Sequence, residues 1–339
     1  MYDVYKIRED FSVLGVKIHG KPNTFLDTAA SAQKPKCVID KMVQMYSYKY
    51  ANVHRGSYLL SEEITSSYEE SRKIVQKFLN ARKSEEIIFT RNATEAINLV
   101  ASTWGHKFLT KIDEVIITEA EHHANLVPWQ ILRDEIGFEL KICKIKEDGA
   151  LDRDEFCKLL NGNTKLVAIT GMSNVLGVIF PIAEVVKAAH SVGAKVLVDA
   201  CQLAVHQKID VQAIDCDFLA FSGHKTYGPT GIGVLYGKYD ILDAMPPYQY
   251  GGDMVDVVTY QATTFDVPPA RFEAGTPAII QAIGLAEALQ YMMNIGLENI
   301  SKYEHTLTQY AIEEFSKIKG FNMVGRSENK GGVFSFVVD

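Results

Sequence analysis

The chain has 339 residues, 47% of them hydrophobic and 23% charged, which is enough apolar material for a large buried core with a smaller appended domain. A formal net charge of −7 with no long run of one sign argues against a nucleic-acid surface or a polybasic membrane patch and leaves small molecules or proteins as partners. Residues 1–6 lack an apolar signal-peptide core, and the apolar stretch 175–186 is broken by Pro181 and Glu184, so neither secretion nor membrane spanning is expected, and a cytoplasmic location is.

Five cysteines, Cys37, Cys143, Cys157, Cys201 and Cys216, are widely spaced, with no CxxC and no histidine in a zinc-like register. They read as reduced packing residues.

Helical patterns cover residues 35–50 and 61–80, the second with Ser61 as its expected N-cap and Ile64, Tyr68, Ile74, Val75 and Phe78 on its apolar side. The loop between them, Asn52-Val53-His54-Arg55-Gly56, carries two basic side chains that can contact a ligand or simply be solvated. From Glu86 onward strands alternate with helices. Residues 87–90, 114–118, 139–145, 165–170 and 195–199 are β-rich, and 94–103, 125–136, 152–160 and 182–190 are amphipathic. Residues 217–221 and 232–236 flank the next loop as two more strands. This order predicts an α/β fold with a mainly parallel sheet covered on both faces, and ligands in such sheets sit outside the carboxyl ends of the strands. After Tyr236 the alternation stops: a loop-rich segment leads to Arg271-Phe272-Glu273-Ala274-Gly275-Thr276-Pro277, then helical patterns at 278–295 and 297–319, then a strand at 331–339 that lacks a recognisable partner.

Chemically suggestive residues fall just after the strands. Behind Thr90, Thr94 opens a helix whose first turn can hold an anion or can merely be capped. Behind Thr118 come His122 and His123; adjacent histidines rarely share a metal, but one imidazole can lie on a flat ring. Ser173-Asn174 follows Thr170. Asp199 ends the buried run Val196-Leu197-Val198, where a carboxylate needs a partner such as a cationic ring nitrogen, unless it caps the next segment. Lys225 sits in Ser222-Gly223-His224-Lys225-Thr226-Tyr227-Gly228-Pro229, between two strands, where a desolvated amine can attack a carbonyl; the loop by itself reads first as a surface lysine on a glycine-rich turn. A lysine for an aldehyde, an acid for a ring nitrogen, hydroxyls for a phosphate and a histidine for a ring face are together what pyridoxal 5'-phosphate requires. Neither nucleotide motif fits: Pro229-Thr230 follows Gly223-xxxx-Gly228 where a P-loop needs Lys-Ser/Thr, and Gly231-x-Gly233 lacks the third glycine at Tyr236.

Leu26-Asp27-Thr28-Ala29-Ala30-Ser31-Ala32-Gln33-Lys34-Pro35, Val53-His54-Arg55-Gly56, Glu121-His122-His123-Ala124-Asn125-Leu126-Val127-Pro128-Trp129, Val198-Asp199-Ala200-Cys201-Gln202, the Lys225 stretch and Arg271 to Pro277 occur in an order that resembles the class V group of fold type I pyridoxal-phosphate enzymes. Within that group the chain resembles the SufS-type group II cysteine desulfurases, with selenocysteine lyases as relatives. The resemblance implies cofactor attachment and proton transfer at Lys225, ring stacking by His122, Asp199 at the pyridine nitrogen and Gln202 at the phenolic oxygen. It implies phosphate binding by Thr94, Ser222 and His224, joined by Thr276 of a second subunit, with Asn174, His54 and Arg55 around the substrate. It further implies a homodimer, L-cysteine or L-selenocysteine as substrate, a SufE- or SufU-like sulfur acceptor, and a role in sulfur mobilisation for iron–sulfur cluster assembly. The domain division expected is an N-terminal segment (1–20) packed on the small domain, a large cofactor domain (21–265) and a partial small domain (266–339). In the family the sulfur-accepting cysteine and a carboxylate-binding arginine follow a strand similar to residues 333–338, and none of the five cysteines matches that position. The expectation is therefore a chain truncated before its acceptor. Two alternatives are a selenocysteine lyase or other class V lyase, and a non-catalytic relative that keeps the fold for interaction.

Overall fold

Runs of β-branched and aromatic residues pair into one central sheet in the computed structural model, which describes residues 2–339. Its strands are β1 (Ile87–Thr90), β2 (Glu114–Thr118), β3 (Glu139–Cys143), β4 (Thr164–Thr170), β5 (Lys195–Asp199), β6 (Phe218–Ser222) and β7 (Gly233–Gly237). They lie in the order β1-β7-β6-β5-β4-β2-β3. Every pairing is parallel except the two made by β7. Reversal of the single strand β7 leaves β1, β2, β4, β5 and β6 all ending at one side of the sheet.

Both faces are covered, so strand residues of either parity are apolar. Ile116, Val167, Ile169, Val196, Val198, Leu219 and Phe221 belong to one apolar cluster, which takes in α1 (Lys36–Tyr48), α2 (Leu59–Leu79), α5 (Ile182–Ser191) and α6 (Ile279–Ile295). Val115, Ile117, Leu166, Ala168, Leu197, Phe218 and Ala220 belong to the other, with α3 (Ala93–Val100) and α4 (Val127–Ile136). Each such Val, Leu or Ile contributes about 1.5–3 kcal/mol when removed from water. The edge strand β3 is the exception: Glu139 and Ile142 are exposed.

Several boundaries differ from the sequence reading. Helix α2 starts at Leu59, with Tyr58 in the cap position, so Ser61 is inside the first turn and not the N-cap. Its hydroxyl instead donates to the Asn52 carbonyl at 2.8 Å, tying the helix to the His54 loop. Helix α3 starts at Ala93, one residue before Thr94, because Asn92 is the cap and accepts the Glu95 N–H at 2.9 Å. After α3 the chain continues through a π-helical turn, Ala101–Gly105.

Beyond the sheet, β8 (Val255–Val258) and β9 (Thr263–Phe265) form an exposed hairpin. Helix α7 (Leu297–Ser316) is followed by β10 (Phe321–Val324), which pairs antiparallel with β11 (Ser335–Val338). The terminal strand therefore has a partner inside the chain, contrary to the sequence reading, and β10 was hidden behind Gly320. Near the N-terminus, Phe11 stands 5.7 Å from the Tyr227 ring and 6.2 Å from that of Tyr291, and Tyr291 donates its hydroxyl to Asp10 at 2.7 Å. No helix among the described residues is long and apolar enough to cross a membrane.

Candidate active site

The register of the sheet sets several polar residues side by side at its carboxyl end: Thr170 is opposite Asp199, and Ser222 and Thr90 are both opposite Gly233. Above them opens a cavity of about 540 Å³. Its walls include Thr94, His122, Asn174, Asp199, Gln202, Ser222, His224 and Lys225.

Lys225 closes a short 3₁₀ turn, Gly223–Lys225, directly after β6. Two residues on, Tyr227 has φ +62°, a left-handed conformation that a bulky side chain adopts only when its surroundings enforce it. Phe11, edge-on to its ring at 5.7 Å, is part of those surroundings. The Lys225 amine has no hydrogen bond or ion pair with any described residue, although it lines the cavity.

Asp199 is 4% exposed at the end of β5. Its Oδ1 accepts the Cys201 N–H at 3.0 Å, and Oδ2 has no partner among the described residues. A buried carboxylate with one open oxygen calls for a cation or a protonated nitrogen.

His122 ends the loop after β2, and its Nδ1 accepts the Ala124 N–H at 3.1 Å. That bond fixes the neutral tautomer with the proton on Nε2. Burial first, and then the Lys225 charge, push its pKa below the ordinary histidine value. The preceding residue, Glu121, is half-buried and holds the loop together. Its Oε1 accepts from Thr118 Oγ1 at 2.6 Å and from the Thr170 N–H at 3.0 Å, and Oε2 from Asn125 Nδ2 at 2.7 Å. Desolvation outweighs those bonds and pushes its carboxyl up to about 8.

At the other end of the cavity the first turn of α3 meets β6. Ser222 accepts the Ala93 N–H at 2.9 Å, while the Thr94 N–H and hydroxyl have no partner among the described residues. The close approach depends on Gly233, where a Cβ would lie 2.5 Å from Asn92 Cα. His224 joins them, its Nδ1 3.2 Å from Ser31 Oγ, with its pKa lowered by burial and by Lys225 and Lys34. A helix start with open N–H and hydroxyl donors is an anion site. Gln202 donates Nε2 to the Ala29 carbonyl at 2.8 Å, which leaves its second N–H for the cavity.

An open acceptor at Asp199, a free amine at Lys225, a flat imidazole and an anion site fit the ring nitrogen, aldehyde, ring face and phosphate of pyridoxal 5'-phosphate. Three sequence candidates lie outside the cavity. Thr276 borders a neighbouring cavity with Arg91, Tyr248 and Gln249. His54 Nε2 pairs with Glu69 at 3.1 Å, and Arg55 donates Nε and Nη2 to Asp253 at 2.9 and 2.6 Å. Sequence reasoning missed Asn92 and Thr170 in the cavity wall. Asn92 had a signal, since Asn-x-x-Glu is an N-terminal capping pattern.

Of the cysteines only Cys201 borders the cavity. Burial and the Asp199 charge raise its thiol far above the ordinary value, so it is not a nucleophilic thiolate.

Residues 24–339 match the family model for class V aminotransferases. A cysteine desulfurase of Enterobacter sp. (strain 638) is 49% identical over 331 residues, covering 97% of this chain and 82% of that protein. A cysteine desulfurase of Synechococcus elongatus is 46% identical over 338 residues; the chain spans only 54% of its length. The apo structure of the cysteine desulfurase from Thermococcus onnurineus NA1 superposes with a TM-score of 0.94 at 40% identity, covering 100% of this chain and 83% of that one.

Proposed function

The chain belongs to the class V aminotransferase family, and from that premise we propose that it is a SufS-type, pyridoxal 5'-phosphate-dependent cysteine desulfurase. It converts L-cysteine to L-alanine in the cytoplasm and passes the sulfur, through a SufE- or SufU-like acceptor, toward iron–sulfur cluster assembly. The observation that carries this reading is the convergence of the Asp199 carboxylate, the free Lys225 amine, the His122 imidazole and the Thr94–Ser222–His224 anion site on one cavity.

When bound, pyridoxal 5'-phosphate supplies an aldehyde that condenses with amines and a cationic ring that draws electrons from the bond to be broken. Asp199, fixed by the Cys201 N–H, would face the ring nitrogen with its open Oδ2 and favour its protonated form. Thr94, Ser222 and His224 would hold the phosphate. Lys225 Nζ takes up and returns the proton at the substrate α-carbon. His122 presents Nε2–H to the substrate, a proton source whose tautomer is set by the Ala124 N–H. Asn174 donates to the substrate carboxylate.

A two-fold dimer completes the site. Thr276, His54 and Arg55 lie away from their own cavity, and the β8–β9 hairpin exposes Val257, Val258, Tyr260 and Phe265. Such a surface suits a second copy whose Thr276 reaches the phosphate. Residues 21–265 would then form the cofactor domain, with 1–20 and 266–339 making the smaller one. We expect the sulfur-receiving thiol to come from outside the five cysteines, since desolvation and the Asp199 charge raise the Cys201 thiol far above the ordinary value and the other four do not border the cavity.

The test is incubation of the cofactor-loaded protein with L-cysteine and a dithiol reductant. Alanine and sulfide should appear in equal amounts. Alanine from L-selenocysteine alone would make the protein a selenocysteine lyase, and failure to take up the cofactor would leave only an interaction role.

A further inference from the structure

Lys330 lies between β10 and β11 and is 5% exposed, yet no carboxylate among the described residues is within ion-pairing reach of it. An unpaired buried ammonium is costly before compensation. Its compensation here is a hydrogen bond to the Leu176 carbonyl and the Phe334 ring, 5.3 Å away. Burial lowers its pKa to about 8.

Leu176 belongs to the turn that follows Asn174, and the same C-terminal segment takes three successive carbonyls of that turn. Ser335 Oγ donates to Val175 O at 2.6 Å, Lys330 to Leu176 O, and the Gly331 N–H to Gly177 O at 2.9 Å. Just beyond, the Ile179 N–H donates to Asn329 O at 2.9 Å. Gly177 has φ +69°, and a Cβ there would meet Val333 O at 2.5 Å and Lys330 Nζ at 2.9 Å. Inside the turn, Ser173 Oγ accepts the Leu176 N–H at 3.1 Å. A methionine in place of Lys330 would fill similar space without desolvating a charge, but it would release the middle carbonyl of the three.

We propose that Lys330 is a positioning residue for the amino-acid substrate: by holding Leu176 it fixes the turn that presents Asn174 to the cavity, and thereby sets affinity for the substrate carboxylate. The proposal rests on the reading of Asn174 given above.

The test titrates L-alanine into the cofactor-loaded protein and follows the visible absorbance, for wild type, Lys330→Met and Asn174→Ala. Lys330→Met should raise the dissociation constant about tenfold, the scale of a displaced contact. Its thermal midpoint should be unchanged or higher, because an unpaired buried charge has been replaced by an apolar chain. Hydrogen exchange at the amides of residues 175–177 should speed up. A lower midpoint with unchanged alanine affinity would mean a structural role only and overturns the proposal. If Asn174→Ala weakens alanine binding and Lys330→Met does not, the proposal fails while the site reading stands. Unchanged binding in Asn174→Ala removes the reading of Asn174 and the proposal with it. Should Lys330→Met not fold, Lys330→Leu, which likewise removes the donor to Leu176, takes its place, and alanine affinity within twofold of wild type overturns the proposal.

Discussion

Ser222, the last residue of β6, accepts the buried N–H of Ala93 at 2.9 Å, joining the strand that leads to Lys225 to the first turn of α3. One hydroxyl thus sets the distance between the amine and the anion site. Ser222→Ala leaves the Ala93 N–H unsatisfied, which costs about 1–3 kcal/mol. We expect at least a tenfold weaker affinity for pyridoxal 5'-phosphate, read by equilibrium dialysis; unchanged affinity would separate Ser222 from the phosphate.

The His122 ring is pushed toward its neutral form by burial and by Lys225. In the cofactor-free protein its NMR titration midpoint should lie below the ordinary value of about 6.5. Lys225→Ala, which removes a neighbouring positive charge, should raise that midpoint. A midpoint that does not move in the variant would place the two side chains out of electrostatic reach.

Glu121 has the opposite consequence for stability. Its folded carboxyl is pushed up to about 8 by desolvation, against an ordinary value of 4.5. Between those values the folded protein holds a proton that the unfolded chain releases, so this contribution is full below 4.5 and is lost as pH rises toward 8. Relative to Glu121→Gln, the cofactor-free wild type should lose up to about 1.4 kcal/mol per pH unit in this window. The histidines titrate in both proteins and cancel in the difference. Parallel stability curves from urea denaturation would show that the three hydrogen bonds on Glu121 overcome its burial.

Arg72 and Glu273 form a buried pair at 2.7 Å that ties α2 to the loop before Thr276. Glu273 also accepts the Phe89 N–H at 2.7 Å and the Tyr68 hydroxyl at 3.0 Å. Glu273→Ala leaves a guanidinium that is only 3% exposed with Glu69 at 3.2 Å as its remaining carboxylate, so about 3 kcal/mol of stability should be lost in chemical denaturation. A loss under 1 kcal/mol would mean that water reaches Arg72.

The sheet was legible because six of its seven strands are short apolar runs buried on both faces, and the site because Asp199 and Lys225 are ionisable groups at the ends of such runs. Residues whose roles depend on distant partners were not. Phe321–Val324 becomes a strand only by pairing with Ser335–Val338, and nothing local to Phe-Asn-Met-Val announces it. Ser61 had the chemistry of a cap, but the helix gained an earlier turn through Leu59 and Leu60, and the hydroxyl found Asn52 instead. The burial of Lys330 is set by a turn more than 150 residues earlier in the chain. Thr94 was placed within one residue of the helix start; Asn92, the better cap, competes for the same N–H groups.

The central claim is that the amine of Lys225 is the attachment point of pyridoxal 5'-phosphate. Borohydride reduction of the cofactor-loaded protein, followed by peptide mass spectrometry, tests it directly. The account predicts that one lysine gains the reduced cofactor mass, that it is Lys225, and that Lys225→Ala gains none. Cofactor mass on another lysine, or on none in a protein that has bound the cofactor, would contradict it.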